Sequence, residues 1–359
     1  MDFIQYSLKL AQKARGNTSP NPPVGAVVVK NESVIAEGWT QPAGGSHAEA
    51  VALDLAGSNA KGATLFVSLE PCNYQGRTPP CTETIIKSGI IEVYVALIDK
   101  NPLVNGKGVK ALRDAGLKVH VMEVTPMAEE LVEAHNKFQL TGLPFITVKF
   151  AMSLDGKIAT RNKDSKWITG EKARQLGHEL RQVSDSIMVG INTIMIDDPL
   201  LTSRDEHGLP FKTQPVRVIM DSKGRTPPNS EIFKSPSKII IFTTRLAKNI
   251  RFDHKNTDVM VMPSKEGRID IFKSISELGK LGVTSVLVEG GSNIIGSFFD
   301  LKLVDKVVAF IAPVIVGGSD ALSSVGGLGV NNLSKVLHIK NKRVELIGDD
   351  LVVTGYCRE

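Results

Sequence analysis

The sequence predicts an α/β protein of two domains, and three observations carry that expectation. The chain has 359 residues, more than one compact core usually holds at roughly 150 residues per domain. Short β-branched runs alternate with segments of helical spacing along its length, the pattern of sheets covered by helices. Midway, EELVEAHNKFQLTGLPF ends a helix-like segment on turn signals at Gly142 and Pro144, after which a fresh strand begins. We therefore expect domains over residues 1–144 and 145–359.

The elements follow in order. In MDFIQYSLKLAQKARG, Ile4, Leu8 and Ala11 recur at helical spacing. SPNPPVGAVVVKNESVIAEGW reads as a β-hairpin turning at Lys30-Asn31-Glu32. HAEAVALDLAG is a helix stopped by Gly57. ATLFVSL is a strand that runs into Glu70-Pro71-Cys72, and CTETIIKSG is a short helix opened at Cys81-Thr82. IEVYVAL, VKALRDAG and LKVHVME follow as strand, helix and strand. The second half restarts with ITVKFAMSLDGKIA and has a helix from about Gly170 to Val183. Strands SIMVG, VRVIMD, SKIIIF and VTSVLVE come next, then a helix at NIIGSFFDL and strands KVVAFIAPVIV and DLVVTGY. No internal repeat relates the halves.

Composition narrows the function. Hydrophobic residues at 42% and charged residues at 23% argue against low-complexity disorder. A net charge of +5 with no run of basic residues, and aromatics at 5%, suit anionic small molecules rather than nucleic acid. The longest apolar run, VVAFIAPVIV, is interrupted by Pro313 and too short for a bilayer, and the N-terminus lacks a signal-peptide core. A soluble, cytoplasmic protein is expected. The cysteines number three, an odd count that argues against a disulfide framework and favours metal binding or catalysis. Cys357 has no evident partner and reads as a bystander.

His47, Glu49, Cys72 and Cys81 are the strongest constellation. One imidazole and two thiolates hold zinc tetrahedrally and leave a fourth position for water, as catalysis requires. A structural zinc would want a fourth protein ligand, and buried or redox cysteines are the third reading. Cys81 at a helix start would have its thiolate favoured by the helix dipole. Glu49 would then be the acid/base beside the metal. At ~100° per residue His47 and Glu49 do not share a helix face, so they converge only if the pair sits at a loop-to-helix junction, which the preceding Gly44-Gly45-Ser46 permits.

The order H-x-E followed by P-C and a second Cys resembles the zinc deaminases of the cytidine deaminase superfamily, whose cysteines are usually spaced C-x-x-C. Here eight residues separate Cys72 from Cys81. With GRTPPC in that loop and SPNPPVGAVVV upstream, the first half resembles the pyrimidine deaminase of riboflavin biosynthesis. In the second half, KFAMSLDGKIA, DSKWITG, VGINTIMIDDPLLTSR and VTSVLVEGGSNIIGSFFD are polar, loop-bound stretches that resemble the reductase half of the bifunctional riboflavin biosynthesis deaminase-reductase family. A GG-containing turn alone would be only a strand-to-helix turn. The resemblance covers nearly the whole chain, in the family's domain order.

It implies a three-layer α/β/α cytidine-deaminase-like domain followed by a dihydrofolate-reductase-like α/β domain. His47, Cys72 and Cys81 would bind zinc, and Glu49 would move protons as the ring amino group of a diaminopyrimidinone ribosylamine 5′-phosphate leaves as ammonia. NADPH would then reduce the ribosyl side chain to ribityl. By that resemblance Ala151, Trp167, Thr193, Asp197 and Ser222, with Gly291, Ser292, Asn293, Ile294, Ile295, Gly296 and Ser297, contact NADPH. Asn21 and Arg77 in the first half, and Lys149, Ser165, Arg181, Leu201, Arg204 and Glu289 in the second, contact substrate. Asn21 could instead cap a turn, Arg77 could be a solvated loop residue, and Trp167 could be core. Arg181 and Arg204 suit bidentate recognition of a phosphate, or could be salt-bridged. Lys149 and Asp197 are the groups able to polarise the sugar oxygen. Thr40 stands where many members of that family carry a His. A homo-oligomer, dimer or tetramer, is expected. The competing readings are a nucleoside or nucleic-acid deaminase fused to a binding module, and a zinc scaffold without catalysis.

Overall fold

A computed structural model of the chain describes residues 1–76, 78–247 and 254–357; Arg77 lies outside the described residues. The chain divides into two compact units, Met1–Leu143 and Pro144–Glu359.

The N-terminal unit comprises α1 (Phe3–Ala14), β1 (Gly25–Lys30), β2 (Ser33–Trp39), α2 (Ala48–Ala56), β3 (Thr64–Val67), α3 (Cys81–Ser88), β4 (Glu92–Val95), α4 (Lys107–Asp114), β5 (Lys118–Val121) and α5 (Pro126–Thr141). Its sheet runs β2-β1-β3-β4-β5. β1 is antiparallel to β2 and β3, and β3, β4 and β5 are mutually parallel. Alternate residues of β1 supply two cores. Ala26 and Val28 pack with Leu8, Ala52 and Ile85, whereas Val27 and Val29 pack with Leu10, Trp39 and Phe66. A strand buried on both faces belongs at the middle of a three-layer stack. α2 lies close on β2 because Gly38 has no side chain; a Cβ there would fall 2.5 Å from the Ala48 carbonyl oxygen. That approach fixes where α2 begins.

The C-terminal unit comprises β6 (Phe145–Ser153), α6 (Glu171–Gln182), β7 (Ser186–Gly190), α7 (Ile191–Asp197), β8 (Val216–Met220), β9 (Ile239–Thr243), β10 (Thr257–Val261), β11 (Ser264–Lys265), β12 (Arg268–Ile269), α8 (Ile271–Lys280), β13 (Ser285–Glu289), α9 (Ser292–Asp300), β14 (Lys306–Ala312), β15 (Lys340–Ile347) and β16 (Asp350–Tyr356). The main sheet runs β10-β9-β8-β7-β13-β6-β14-β16-β15, parallel from β10 to β14 and antiparallel at β16 and β15. One core lies between β7, β8, β9 and α7 around Ile187, Val189, Ile219 and Ile241, and a second around Ala173, Val308, Phe310 and Val352. Parallel strands bring their carboxyl ends to one edge, where ligands of open α/β sheets bind.

α7, α8, β10 to β12 and β15 add to the elements expected from sequence. Lys149, Thr193 and Asp197, expected in loop-bound stretches, stand on β6 and α7, and Arg181 stands on the expected helix, α6. Among the described residues no helix is long and apolar enough to cross a membrane.

Candidate active sites

The N-terminal unit brings His47, Cys72 and Cys81 together, with their donor atoms all within 4.8 Å of one another. His47 is the N-cap of α2, extended at φ −72° and ψ 162°, and Glu49 lies in the first helical turn. The junction resolves the spacing problem, because His47 is not on the helix and its imidazole swings toward the cysteines. Cys72 follows the end of β3 and Cys81 is the first residue of α3. The loop between them closes on itself: Thr82 donates its N–H to the Cys72 carbonyl at 3.1 Å, and Cys81 donates its N–H to Cys72 Sγ at 3.4 Å.

The separations suit zinc. Zn–S near 2.3 Å and Zn–N near 2.0–2.1 Å in a tetrahedron require donors roughly 3.5–3.8 Å apart. His47 Nδ1 stands 3.2 Å from Cys81 Sγ and 3.6 Å from Cys72 Sγ. Nδ1 is thus the metal-facing nitrogen, and Nε2 meets the Thr78 hydroxyl at 3.4 Å, an outer partner that orients the ring. Among the described residues this is the one His/Cys/Asp/Glu group with metal-holding geometry.

The electrostatics fit the same chemistry. A hydrogen bond with Cys81, reinforced by His47, lowers the Cys72 thiol to about 4 despite burial. The same bond, with burial, pushes Cys81 well above the ordinary thiol range. Glu49 is 3% exposed, and burial, then the Cys72 charge, raises its carboxyl to about 7. A carboxyl at that value can both take and return a proton near neutral pH.

Two supports escape sequence reasoning. Besides Thr78, the buried Glu70 carboxylate accepts N–H bonds from Asp99, Gly106 and Val109 at 3.3, 2.9 and 3.0 Å. It pins the 99–109 segment beneath the Cys72 leg. Thr40 is buried; its hydroxyl oxygen accepts the Val24 N–H at 3.0 Å while its own N–H reaches the Val24 carbonyl at 2.9 Å. It braces the NPPV segment from within. Asn21 sits in a turn closed by its N–H to the Thr18 carbonyl and by the Thr18 hydroxyl to its own carbonyl, both 2.9 Å.

In the C-terminal unit a cleft opens at the carboxyl ends of β6, β13, β7 and β8. Lys149, Ala151, Ser165, Trp167, Arg181, Thr193, Asp197, Leu201, Arg204, Ser222 and Glu289 line it, with Gly291, Ser292, Asn293, Ile294 and Ser297 from the turn into α9. Ile295 and Gly296 do not. Helix rotation turns Ile295 into the core, fully buried, and sets Gly296 against the backbone of Gly326. Trp167 is 71% exposed with the Arg174 guanidinium stacked 4.7 Å from its ring, which rules out the core reading. The Ser165 hydroxyl donates to Asp197 at 3.1 Å.

Arg181 is ion-paired at the cleft wall. Its guanidinium fork is closed on Glu289, Nε to Oε1 at 2.8 Å and Nη2 to Oε2 at 2.9 Å, with Nη1 donating to the Thr202 carbonyl at 3.2 Å. A half-buried Arg is stable only with its charge matched, so the fork that sequence offers to a phosphate is turned inward. Burial would push Glu289 up, but Arg181, then Lys149 and His178, outweigh it and hold the carboxyl at about 2. Burial lowers Lys149, partly offset by Glu289, and its ammonium lies 5.0 Å from the Phe310 ring centroid.

The turn from β13 to α9 suits a phosphate-bearing dinucleotide. Gly290 has φ +137°, and a Cβ there would sit 3.0 Å from Thr193 Oγ1; beside Gly291 a Cβ would meet nothing. α9 has no side-chain cap, which leaves its first N–H groups for an anion.

Comparison with known proteins matches residues 1–97 to the cytidine and deoxycytidylate deaminase zinc-binding region and residues 144–353 to the RibD C-terminal domain. Riboflavin biosynthesis protein RibD of Aquifex aeolicus is 40% identical over 98% of this chain and 97% of its own length. That of Escherichia coli is 36% identical over 97% of each. The solved structure of Acinetobacter baumannii RibD superposes with a TM-score of 0.87 at 33% identity, covering 99% of this chain and 98% of that one. The Thermotoga maritima diaminohydroxyphosphoribosylaminopyrimidine deaminase/5-amino-6-(5-phosphoribosylamino)uracil reductase superposes with the same TM-score and coverage at 35% identity.

Proposed function

The chain belongs to the RibD family of riboflavin biosynthesis proteins, and from that premise we propose how its residues divide the work. It is a bifunctional enzyme of the riboflavin pathway, a zinc-dependent deaminase joined to an NADPH-dependent reductase. Residues 1–144 carry the first activity and 145–359 the second. The substrate is a diaminopyrimidinone ribosylamine 5′-phosphate, which loses its ring amino group as ammonia before its ribosyl chain is reduced to ribityl.

The single observation that carries the deaminase reading is the Nδ1–Sγ–Sγ tripod with Glu49 buried beside it. Zinc held there supplies a Lewis acid that makes water nucleophilic near neutral pH. His47, Cys72 and Cys81 hold the ion, and Thr78 holds the His47 ring. Glu49 takes the proton from water and returns it to the departing amine. Asn21 orients the pyrimidine, and Arg77 meets the phosphate.

In the reductase, NADPH supplies the hydride. Ala151, Trp167, Thr193, Asp197 and Ser222, with Gly291, Ser292, Asn293, Ile294 and Ser297, hold it in register with the sugar carbon, which is most of what such a step needs. Ser165, Leu201 and Arg204 hold the substrate. Arg181 holds Glu289, whose carboxylate opposes the loss of charge that burial imposes on Lys149, and Lys149 and Asp197 meet the sugar oxygen. The enzyme works in the cytoplasm as a homo-oligomer. The free thiols of its zinc site suit a reducing compartment.

Glu49→Gln tests the division. It should keep its zinc, lose ammonia release by about 10²–10⁴-fold, and still reduce the already deaminated compound. Loss of zinc, or loss of both activities with zinc retained, would show that Glu49 has another role.

A further inference from the structure

α6 brings to the reductase cleft a titratable side chain to which the reading above gives no role. His178 lines that cleft, half-buried, with its Nδ1 3.1 Å from the Thr202 carbonyl oxygen. A carbonyl oxygen only accepts, so the ring hydrogen is on Nδ1 and the tautomer is fixed. Burial first, then Arg181, lowers the imidazole below its ordinary range, which leaves the ring neutral at neutral pH. Nε2 then carries a bare lone pair, and among the described residues nothing donates to it. The charged neighbours that act on the ring are Arg181, Glu289 and Arg204. A neutral acceptor stands open among them.

Its neighbours say what it accepts from. Gly177 precedes it, and a Cβ there would lie 3.8 Å from Lys149 Nζ, so α6 runs beside the ammonium set against the sugar oxygen. On the other side Thr202 links it to Arg204, because the Thr202 carbonyl takes the His178 N–H and the Thr202 hydroxyl takes the Arg204 Nε–H at 3.1 Å. Arg181 is committed to Glu289, which leaves Arg204 for the phosphate. A ribosyl 5′-phosphate that spans Lys149 and Arg204 lays its secondary hydroxyls along this stretch. A hydroxyl offers the hydrogen that a bare imidazole nitrogen accepts, whereas a phosphate dianion has none to give. We infer that His178 Nε2 accepts a hydrogen bond from a secondary hydroxyl of the ribosyl chain, so that the reductase reads the sugar as well as its phosphate. The contact rests on the reductase reading above and adds a substrate-binding residue to it.

Two substitutions separate the ring nitrogens. His178→Asn sets an amide N–H where Nδ1 was, keeping the bond to Thr202 and removing the acceptor. His178→Gln sets an amide oxygen where Nε2 was and gives up the bond to Thr202. With the zinc-loaded full chain saturated in NADPH, cofactor oxidation is followed as the already deaminated compound is varied. His178→Asn should raise KM about three- to tenfold, and His178→Gln should stay closer to the wild type. The reverse order, or an equal change in both, shows a residue that only braces Thr202 and overturns the inference. So does loss of NADPH binding in both variants, followed by cofactor fluorescence. Competing inhibitors locate the contact: His178→Asn should weaken inhibition by D-ribose 5-phosphate by the same factor as KM and leave inhibition by inorganic phosphate unchanged. Equal weakening of the two puts Nε2 on the phosphate and overturns the assignment to a hydroxyl. A wild type that does not oxidise NADPH with the deaminated compound overturns the reductase reading itself.

Discussion

Replacing Glu289 by Gln keeps the side chain's volume and removes its charge. In the C-terminal unit that carboxylate takes two bonds from Arg181 and stands beside Lys149 and His178, with its own side chain 9% exposed and that of Arg181 19%. Burial alone would raise its pKa; Arg181 chiefly, then Lys149, brings it from the ordinary 4.5 to about 2. That displacement is worth roughly 3 kcal/mol at ~1.4 kcal/mol per pH unit, within the range of about 3–5 kcal/mol for orphaning one side of a buried pair. For a domain of this size the unfolding midpoint should fall by about 6–12 °C. The sign of the pH effect follows. A depressed carboxyl stabilises the fold fully above its unfolded value of 4.5 and loses that contribution as pH falls toward 2. Scanning calorimetry of both proteins between pH 7 and about pH 3 should therefore show a wide gap that narrows below 4.5. An unchanged midpoint, or a gap indifferent to pH, would show that Arg181 and Lys149 do not depend on this carboxylate.

Other outcomes follow from the same geometry. Thr78→Ala removes the partner of His47 Nε2 and should lower zinc affinity about tenfold or more, measured by competition with a chelating dye; unchanged affinity would leave the ring oriented by something else. Gly290→Ala forces a Cβ to within 3.0 Å of Thr193 Oγ1 at a φ of +137°. It should cost about 1–3 kcal/mol in stability and weaken NADPH binding in a fluorescence titration. A chelator should stop ammonia release while reduction of the deaminated compound continues, because the reductase cleft has no metal-holding group among the described residues.

Much of the deaminase site was legible because its residue types permit few other chemistries. His47, Cys72 and Cys81 each stand at an element boundary that sequence marks, a Gly-rich entry, a strand end before Pro71 and a helix start. Thr78 and Glu70 were not legible, since a hydroxyl or carboxylate gains its role only when the loop brings a partner to it. Arg181 and Glu289 are 108 residues apart, a pairing that no local pattern announces. The placement of Ile295 and Gly296 off the cleft follows from helical rotation, which a contiguous reading of the 291–297 turn ignores. β15 is exposed along nearly its whole length. Such an edge strand lacks the alternation that betrays a half-buried one. α8 carries a helix-start signal, Asp270 accepting the Lys273 N–H ahead of buried Ile275 and Leu278.

The two sites together imply two reactions in one order on one chain. The direct measurement gives the purified protein the diaminopyrimidinone ribosylamine phosphate with NADPH and follows ammonia and NADPH absorbance together. Ammonia should appear first, NADPH should disappear after a lag, and the two should reach equal amounts. NADPH oxidation without ammonia, or release of ammonia from cytidine but not from this substrate, would contradict the account.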